Sequence, residues 1–144
     1  MNAKAGTQAV SLEYDLPHPP AKVWRALTEP ALVAAWLMPN DLKPEVGHAF
    51  QFRSTPMPHW DGLVSCEVQE VELHKRLRYS WRSGGPAHLD TVVTWTLQPT
   101  PAGGTRLTLV HSGFQPDGKW AFEGARKGWE KMLTEKLPKV LSEA

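Results

Sequence analysis

The sequence lacks the features that mark several large protein classes. It has a single cysteine, Cys66, so no internal disulfide can form and a reducing compartment is indicated. Its 16 basic residues nearly balance its 15 acidic ones, and a net charge of +1 gives no support for nucleic acid binding. No apolar run approaches the ~18 residues of a membrane span, and the first residues lack the apolar segment of a signal peptide. We therefore expect a cytoplasmic protein with no membrane span and no nucleic acid partner.

The spacing patterns of metal and nucleotide sites are also missing. The six histidines are scattered, without a His-x-His, His-Glu-x-x-His or Cys-x-x-Cys arrangement. There is no glycine-rich dinucleotide loop, no phosphate-binding loop and no Gly-x-Ser-x-Gly elbow. We expect neither a metal nor a cofactor.

The chain has 144 residues, which is enough for one domain with its own core. We place a flexible tail at residues 1–7 and a single domain over residues 8–144. Alternating apolar and polar residues predict a first strand over Gln8–Leu16 and five more over 49–53, 63–73, 77–81, 91–97 and 106–111. The polar residues of each strand share one face, which predicts an antiparallel sheet with one side in water. In the third strand, the mixed parity of its glutamates indicates a bulge.

Helices are predicted between the first two strands and at the end of the chain. Pro20 opens a short helix that ends before Pro30, and a second follows over Ala31–Leu37. From about Lys119, apolar residues recur every three or four positions and predict a long amphipathic helix. On a helical wheel Gly124 lies opposite this apolar stripe, and Pro138 is expected to fray or kink the last turn.

This element order predicts an α+β fold in which a sheet of six to seven antiparallel strands wraps around the C-terminal helix. A twisted sheet seldom touches such a helix along its whole length, so a cavity is expected between the two.

Aromatic residues are the main clue to function. The chain has seven tryptophans but no isoleucine, although well-filled cores are usually built from branched aliphatic residues. Plain core packing is one interpretation, and the walls of a ligand cavity are the other, which we favour. The candidate ligand-binding residues are Trp36, Phe50, Phe52, Cys66, Tyr79, Trp81, Trp95, His111, Phe122, Trp129 and Met132.

Two of these candidates carry reactive groups. His111 shares a strand face with Leu107 and Leu109, so it should point inward. There it is either a satisfied core histidine or a weak candidate for an acid–base catalyst, with Tyr79 or Cys66 as conceivable partners. Cys66 is more simply interpreted as a small buried apolar residue than as a nucleophile.

Four segments carry a family resemblance. They read PPAKVWRALTEPALVAAWL at 19–37, EVELHKRLRYSW at 70–81, HSGF at 111–114 and GWEKML at 128–133. Together they resemble the Activator of Hsp90 ATPase homologue 1-like family, a branch of the START/Bet v 1-like (SRPBCC) superfamily. The resemblance covers residues 9 to 141. It implies a helix-grip fold with an apolar cavity under the long helix, but it implies function only loosely.

Three functions remain open at this stage. The favoured one is binding of a small hydrophobic or lipid-like molecule by a monomer or homodimer. The second is a cyclase or hydrolase type of enzyme that uses His111 in the same cavity. The third, suggested by the family name, is a co-chaperone-like protein-partner module, although we expect no room in 144 residues for the additional N-terminal domain of that co-chaperone.

Overall fold

The structure is a computed structural model that describes residues 8–56, 58, 61–83, 89–115 and 119–143, without the side chains of 119 and 120. The predicted tail at 1–7 lies outside these residues. Six strands occur in the described part: β1 (Gln8–Leu16), β2 (Ala49–Arg53), β3 (Leu63–Glu72), β4 (Arg76–Ser83), β5 (Leu89–Pro99) and β6 (Thr105–Phe114). The three strands β4 to β6 are longer than their predicted ranges.

All six strands form one antiparallel sheet in the order β1-β6-β5-β4-β3-β2. Consecutive strands from β2 to β6 are neighbours, so this part is a simple meander, and β1 then pairs with β6. The apolar residues of each strand face one side. The predicted curved sheet with a single apolar face is confirmed.

Two irregularities interrupt the ladder. The predicted bulge in β3 is present, because the pairing with β4 shifts between Val68 and Glu70. A second, unpredicted one lies in β6, where Gly113 has φ +101° and the pairing with β1 also shifts. Since one extra residue reverses the alternation of side chains, His111 and Phe114 both point inward, with ring centroids 4.6 Å apart.

Two short helices follow β1: α1 (Pro20–Thr28) and α2 (Pro30–Trp36). Each begins with a proline, whose fixed φ suits a first helical position and whose missing N–H would have no partner there. The Trp24 side chain on α1 is 5% exposed and meets the ring of His74 edge-on at 6.2 Å. This contact packs α1 against the turn between β3 and β4.

The C-terminal helix runs as α3 (Lys119–Lys131), a π-helical turn (Met132–Lys136) and α4 (Leu137–Glu143). The expected fraying at Pro138 does not occur, because α4 continues beyond that residue. Instead the helix widens just before the proline, where the Leu137 N–H donates to the Met132 carbonyl five residues back. The wider turn provides for a residue that cannot donate to the preceding turn and whose ring crowds it.

The core lies between the apolar face of the sheet and this helix. From the helix, Trp129, Leu133, Leu137 and Leu141 are each at most 3% exposed. The long helix therefore covers the sheet as the helix-grip architecture requires. The helix does not fill all of the space over the sheet, and the unfilled part is a cavity.

Candidate ligand-binding site

A partly open cavity of about 390 Å³ lies between the sheet and the first half of the long helix. This volume lies within the range of pockets that hold small molecules. The sheet contributes Val64, Trp81, Ser83, Leu89 and His111, from four different strands. Leu37 and Met38, directly after α2, contribute to the wall as well. The cavity is thus bounded by every layer of the fold.

The helix presents a face of small residues to this cavity. Ala121 is followed by Gly124 and Ala125 one turn later and by Gly128 in the turn after that, and Met132 completes the row. This row lies beside the stripe that carries Leu133 and Leu137 into the core, and the buried Trp129 borders both the core and the cavity. The expectation that Gly124 lies opposite the buried face missed this arrangement, because the helix contacts two things: a core on one side and a cavity on the other.

The predicted aromatic residues divide between the cavity and the core. Four of the eleven predicted ligand-binding residues line the cavity, namely Trp81, His111, Trp129 and Met132. The other seven do not line it. They are Trp36, Phe50, Phe52, Cys66, Tyr79, Trp95 and Phe122.

Six of these seven are buried, and the five rings among them pack against other buried rings. Phe50 meets both Phe52 and Tyr79 edge-on, with centroid distances of 5.4 and 5.3 Å. Trp95 lies edge-on to both Trp36 and Trp129, at 5.8 and 5.5 Å. Such edge-to-face pairs are favourable ring geometries. The half-buried Phe122 packs on Phe114 at 5.6 Å. Sequence parity placed these residues on the correct face, but it could not separate the filled part of the interior from the open part.

Three tryptophans of the interior have defined partners for their indole N–H groups. Trp36 donates to the Ala26 carbonyl at 2.7 Å, Trp95 to the Tyr79 hydroxyl at 3.0 Å and Trp129 to His111 Nδ1 at 3.0 Å. A buried donor without a partner is costly. Each indole is therefore fixed in position as well as buried, and the Trp129 bond reaches into the cavity wall.

His111 is held on both ring nitrogens. Its Nδ1 accepts from Trp129, and its Nε2 lies 2.8 Å from the Thr91 hydroxyl oxygen. Thr91 is 2% exposed, and its hydroxyl donates to the Trp81 carbonyl at 2.7 Å. The geometry matches the predicted alternative of a satisfied core histidine, although this one also faces a cavity.

Burial governs the electrostatics of the reactive groups. His111 is 1% exposed, and burial lowers its pKa to about 3, so the ring is neutral near neutral pH. Burial likewise raises the pKa of the Cys66 thiol and the Tyr79 hydroxyl well above their usual values. A buried neutral thiol and phenol are poor nucleophiles or bases near neutral pH. Tyr79 and Cys66, the partners suggested for catalysis by His111, make other contacts. The Tyr79 hydroxyl accepts a hydrogen bond from Trp95, and Cys66 is buried in the core.

Several residues of the site were missing from the sequence prediction: Thr91, which contacts His111 without lining the cavity itself, and several residues of the lining. Thr91 could have been found, since it precedes Val93 and Trp95 on the inward face of β5 and is the only polar residue of the three. The small residues of α3 gave a weaker signal, because an alanine or glycine row can face anything. Leu37 and Met38 lie in irregular backbone after α2, where no periodicity predicts direction.

The family model described as Activator of Hsp90 ATPase homolog 1-like protein matches residues 17–142. The chain belongs to this family. No curated protein matches the sequence.

Solved structures share the fold of this chain over nearly its whole length. Protein MLL2253 from Mesorhizobium loti is 45% identical, with 95% of this chain and 98% of that chain covered and a TM-score of 0.86. Protein BH1534 from Bacillus halodurans is 28% identical over 93% of this chain and 96% of that one, with a TM-score of 0.78. DynU16, a protein in the dynemicin biosynthetic locus, is 26% identical with a TM-score of 0.75, covering 93% of this chain but 47% of that chain. The likeness is consistent with the helix-grip fold.

No group of three or more His, Cys, Asp or Glu side chains in the described part of the chain could hold a metal ion. No helix in the same residues is both long and apolar enough to cross a membrane.

Proposed function

We propose that this protein binds a small, uncharged and largely apolar molecule in the cavity between the sheet and α3. The proposal rests on the absence of charged side chains from the described part of the cavity wall. In the described residues the wall contains no Asp, Glu, Lys or Arg side chain, and its one histidine is neutral near neutral pH. A charged group inside would lose its water without gaining a partner, which is strongly unfavourable. An amphiphile could bind only with its polar end at the open side.

The helix supports the same proposal from another direction. Glycine in a helix interior costs up to about 1 kcal/mol relative to alanine. A Cβ on Gly124 would meet no atom within 4 Å, and one on Gly128 would meet only Met132 Cε at 4.0 Å. Neither glycine has a positive φ, so neither is required by the backbone. Glycine at these two positions lowers the stability of the helix and leaves room in the cavity, which fits a ligand-binding wall.

DynU16 provides a further, weaker argument. A related fold encoded in a biosynthetic locus fits a role in handling a small organic molecule. The remaining expectations belong to the same proposal: a monomer or homodimer located in the cytoplasm, where the buried free thiol of Cys66 would stay reduced.

The test uses an uncharged fluorescent probe, N-phenyl-1-naphthylamine, whose emission rises in apolar surroundings. We expect saturable binding to the wild-type protein and strong loss of binding in Gly128→Leu, which places a side chain inside the cavity. Lys127→Leu is the matched control, because it adds the same side chain at the exposed neighbouring position and should leave binding unchanged. Equal binding by all three proteins would place the probe elsewhere and contradict the proposal.

A comparison of probe charge completes the test. The anionic probe 1-anilinonaphthalene-8-sulfonate has a similar ring system, and we expect it to bind more weakly than the neutral probe. Tighter binding of the anion that Gly128→Leu abolishes would show that the cavity accepts charge, and the uncharged class would be wrong.

A further inference from the structure

We infer that His111 is a positioning residue that sets the shape of the cavity wall by holding Trp129 and tying it to the β4 backbone at Trp81. The consequence for ligand binding rests on the function proposed above. The positioning itself can be tested in the ligand-free protein.

The hydrogens of this chain of contacts can be placed from chemistry alone. An indole N–H only donates, so His111 Nδ1 must accept from Trp129 and carries no proton. The neutral ring then carries its proton on Nε2 and donates to the Thr91 oxygen. A carbonyl only accepts, so the Thr91 hydroxyl donates onward to the Trp81 carbonyl. The chain therefore runs in one direction and has one allowed tautomer.

The chain joins separate parts of the fold at the cavity. It starts on α3, passes through β6 and β5 and ends on β4, with lengths of 3.0, 2.8 and 2.7 Å. The rings at its two ends, Trp129 and Trp81, both line the cavity and lie 5.4 Å apart at 58°. The chain thus fixes the Trp129 ring relative to the β4 backbone, which carries the Trp81 ring on the other side of the contact.

An apolar side chain could fill the volume of His111 but not this role. It would leave the buried N–H of Trp129 without a partner, and the indole would turn toward another acceptor. Because Trp129 borders open space, the ring has somewhere to move. A wall that already has its bound shape loses less freedom when a ligand binds. His111 should therefore affect affinity without a hydrogen bond to the ligand, because both of its ring nitrogens already have partners.

The experiment compares four variants by affinity for N-phenyl-1-naphthylamine and by the indole NMR signal of Trp129. His111→Leu removes both polar contacts, while His111→Asn can keep an acceptor near the position of Nδ1. Thr91→Val cuts the link to β4 with little change of shape. Thr105→Val is the control, because its buried hydroxyl donates to the His18 carbonyl at 2.7 Å and has no part in the cavity wall.

We expect affinity to fall roughly tenfold in His111→Leu, the factor that corresponds to one net hydrogen bond. His111→Asn should recover part of this loss. The affinity of Thr91→Val should lie between that of His111→Leu and that of the wild type. Thr105→Val should lose stability but keep the wild-type affinity. The Trp129 N–H signal should shift and exchange faster in His111→Leu. Nitrogen NMR of the wild-type ring should show the Nε2–H tautomer.

Failure of the two proposals can be told apart. If the wild-type protein binds no probe, the proposed function fails, and the NMR measurements still decide the role of His111. An unchanged Trp129 signal in His111→Leu, or an Nδ1–H tautomer in the wild type, would overturn the positioning role. Wild-type affinity in a folded His111→Leu protein would overturn its effect on binding. Should that variant not fold, Thr91→Val decides by the same two readouts.

Discussion

The buried imidazole of His111 should make the protein lose stability in mild acid. Burial lowers the pKa of His111 to about 3 in the folded state from the ordinary 6.5 of the unfolded chain. As the pH falls below 6.5, the unfolded state binds a proton that the folded state rejects, so unfolding becomes easier. The loss continues until the pH reaches the folded pKa. Protonation would also place a hydrogen on Nδ1, which faces the Trp129 N–H.

The size of the effect follows from the two pKa values. Between pH 8 and pH 5 the imidazole of the unfolded chain becomes protonated, whereas that of the folded protein stays almost entirely neutral. Because pH 5 lies about 1.5 units below the unfolded pKa, the free energy of unfolding falls by about 2 kcal/mol. The histidine at position 18 acts in the same direction, since partial burial and the nearby Lys22 lower its pKa too, but it is only half-buried and contributes less. To isolate His111, two proteins must be compared in which the contributions of all other titrating groups to the pH dependence of stability cancel.

Urea unfolding of the wild type and His111→Asn at pH 8 and at pH 5, followed by tryptophan emission, provides that comparison. The variant lacks the titrating ring and keeps every other ionisable group. We expect the wild type to be the more stable protein at pH 8 and its advantage to shrink by about 2 kcal/mol at pH 5. An advantage that stays constant to within about 0.5 kcal/mol would refute the claim that the buried ring is neutral because it is desolvated.

Three further outcomes follow from the same contacts. Gly124→Ala should raise the free energy of unfolding by about 0.5–1 kcal/mol, since its Cβ meets no atom within 4 Å; a loss of stability in urea unfolding would contradict this. Cys66 is 5% exposed with a raised pKa, so it should react with a thiol reagent at pH 8 only after urea unfolds the protein; rapid labelling of the native form would disagree. Trp36→Phe should cost about 1–3 kcal/mol by thermal or urea unfolding, because it removes the bond to the Ala26 carbonyl. A neutral effect would show that this bond does not hold α2 in place.

The sequence predicted the elements well where one local rule operates. The alternation of Leu77, Tyr79 and Trp81 identified both a strand and its buried face, and all three side chains are at most 9% exposed. Prolines marked the starts of the two short helices because their fixed φ acts within a single residue. The inward direction of His111 followed from the same alternation.

Local rules failed where two parts of the chain act on one residue. Beyond His111, the bulge at Gly113 reverses the alternation, and only the pairing with β1 shows where Phe114 points. At Pro138 the helix could either break or adjust in the turn before it. The observed π-helical turn lies on a helix whose next residues, Leu137 and Leu141, are fully buried. Burial of that last turn favours adjustment over fraying.

The amino-acid sequence by itself determined the face of each strand, the amphipathic helix and the abundance of large rings for the interior. Those properties depend on periods of two and 3.6 residues and on side-chain chemistry, which are local. Only the tertiary structure decided which rings fill the core and which border open space, because that depends on the distance between helix and sheet at each point. It also decided the partners of His111, since Thr91 and Trp129 lie 20 and 18 residues away along the chain. The cavity and its hydrogen-bonded wall exist only once all those segments meet.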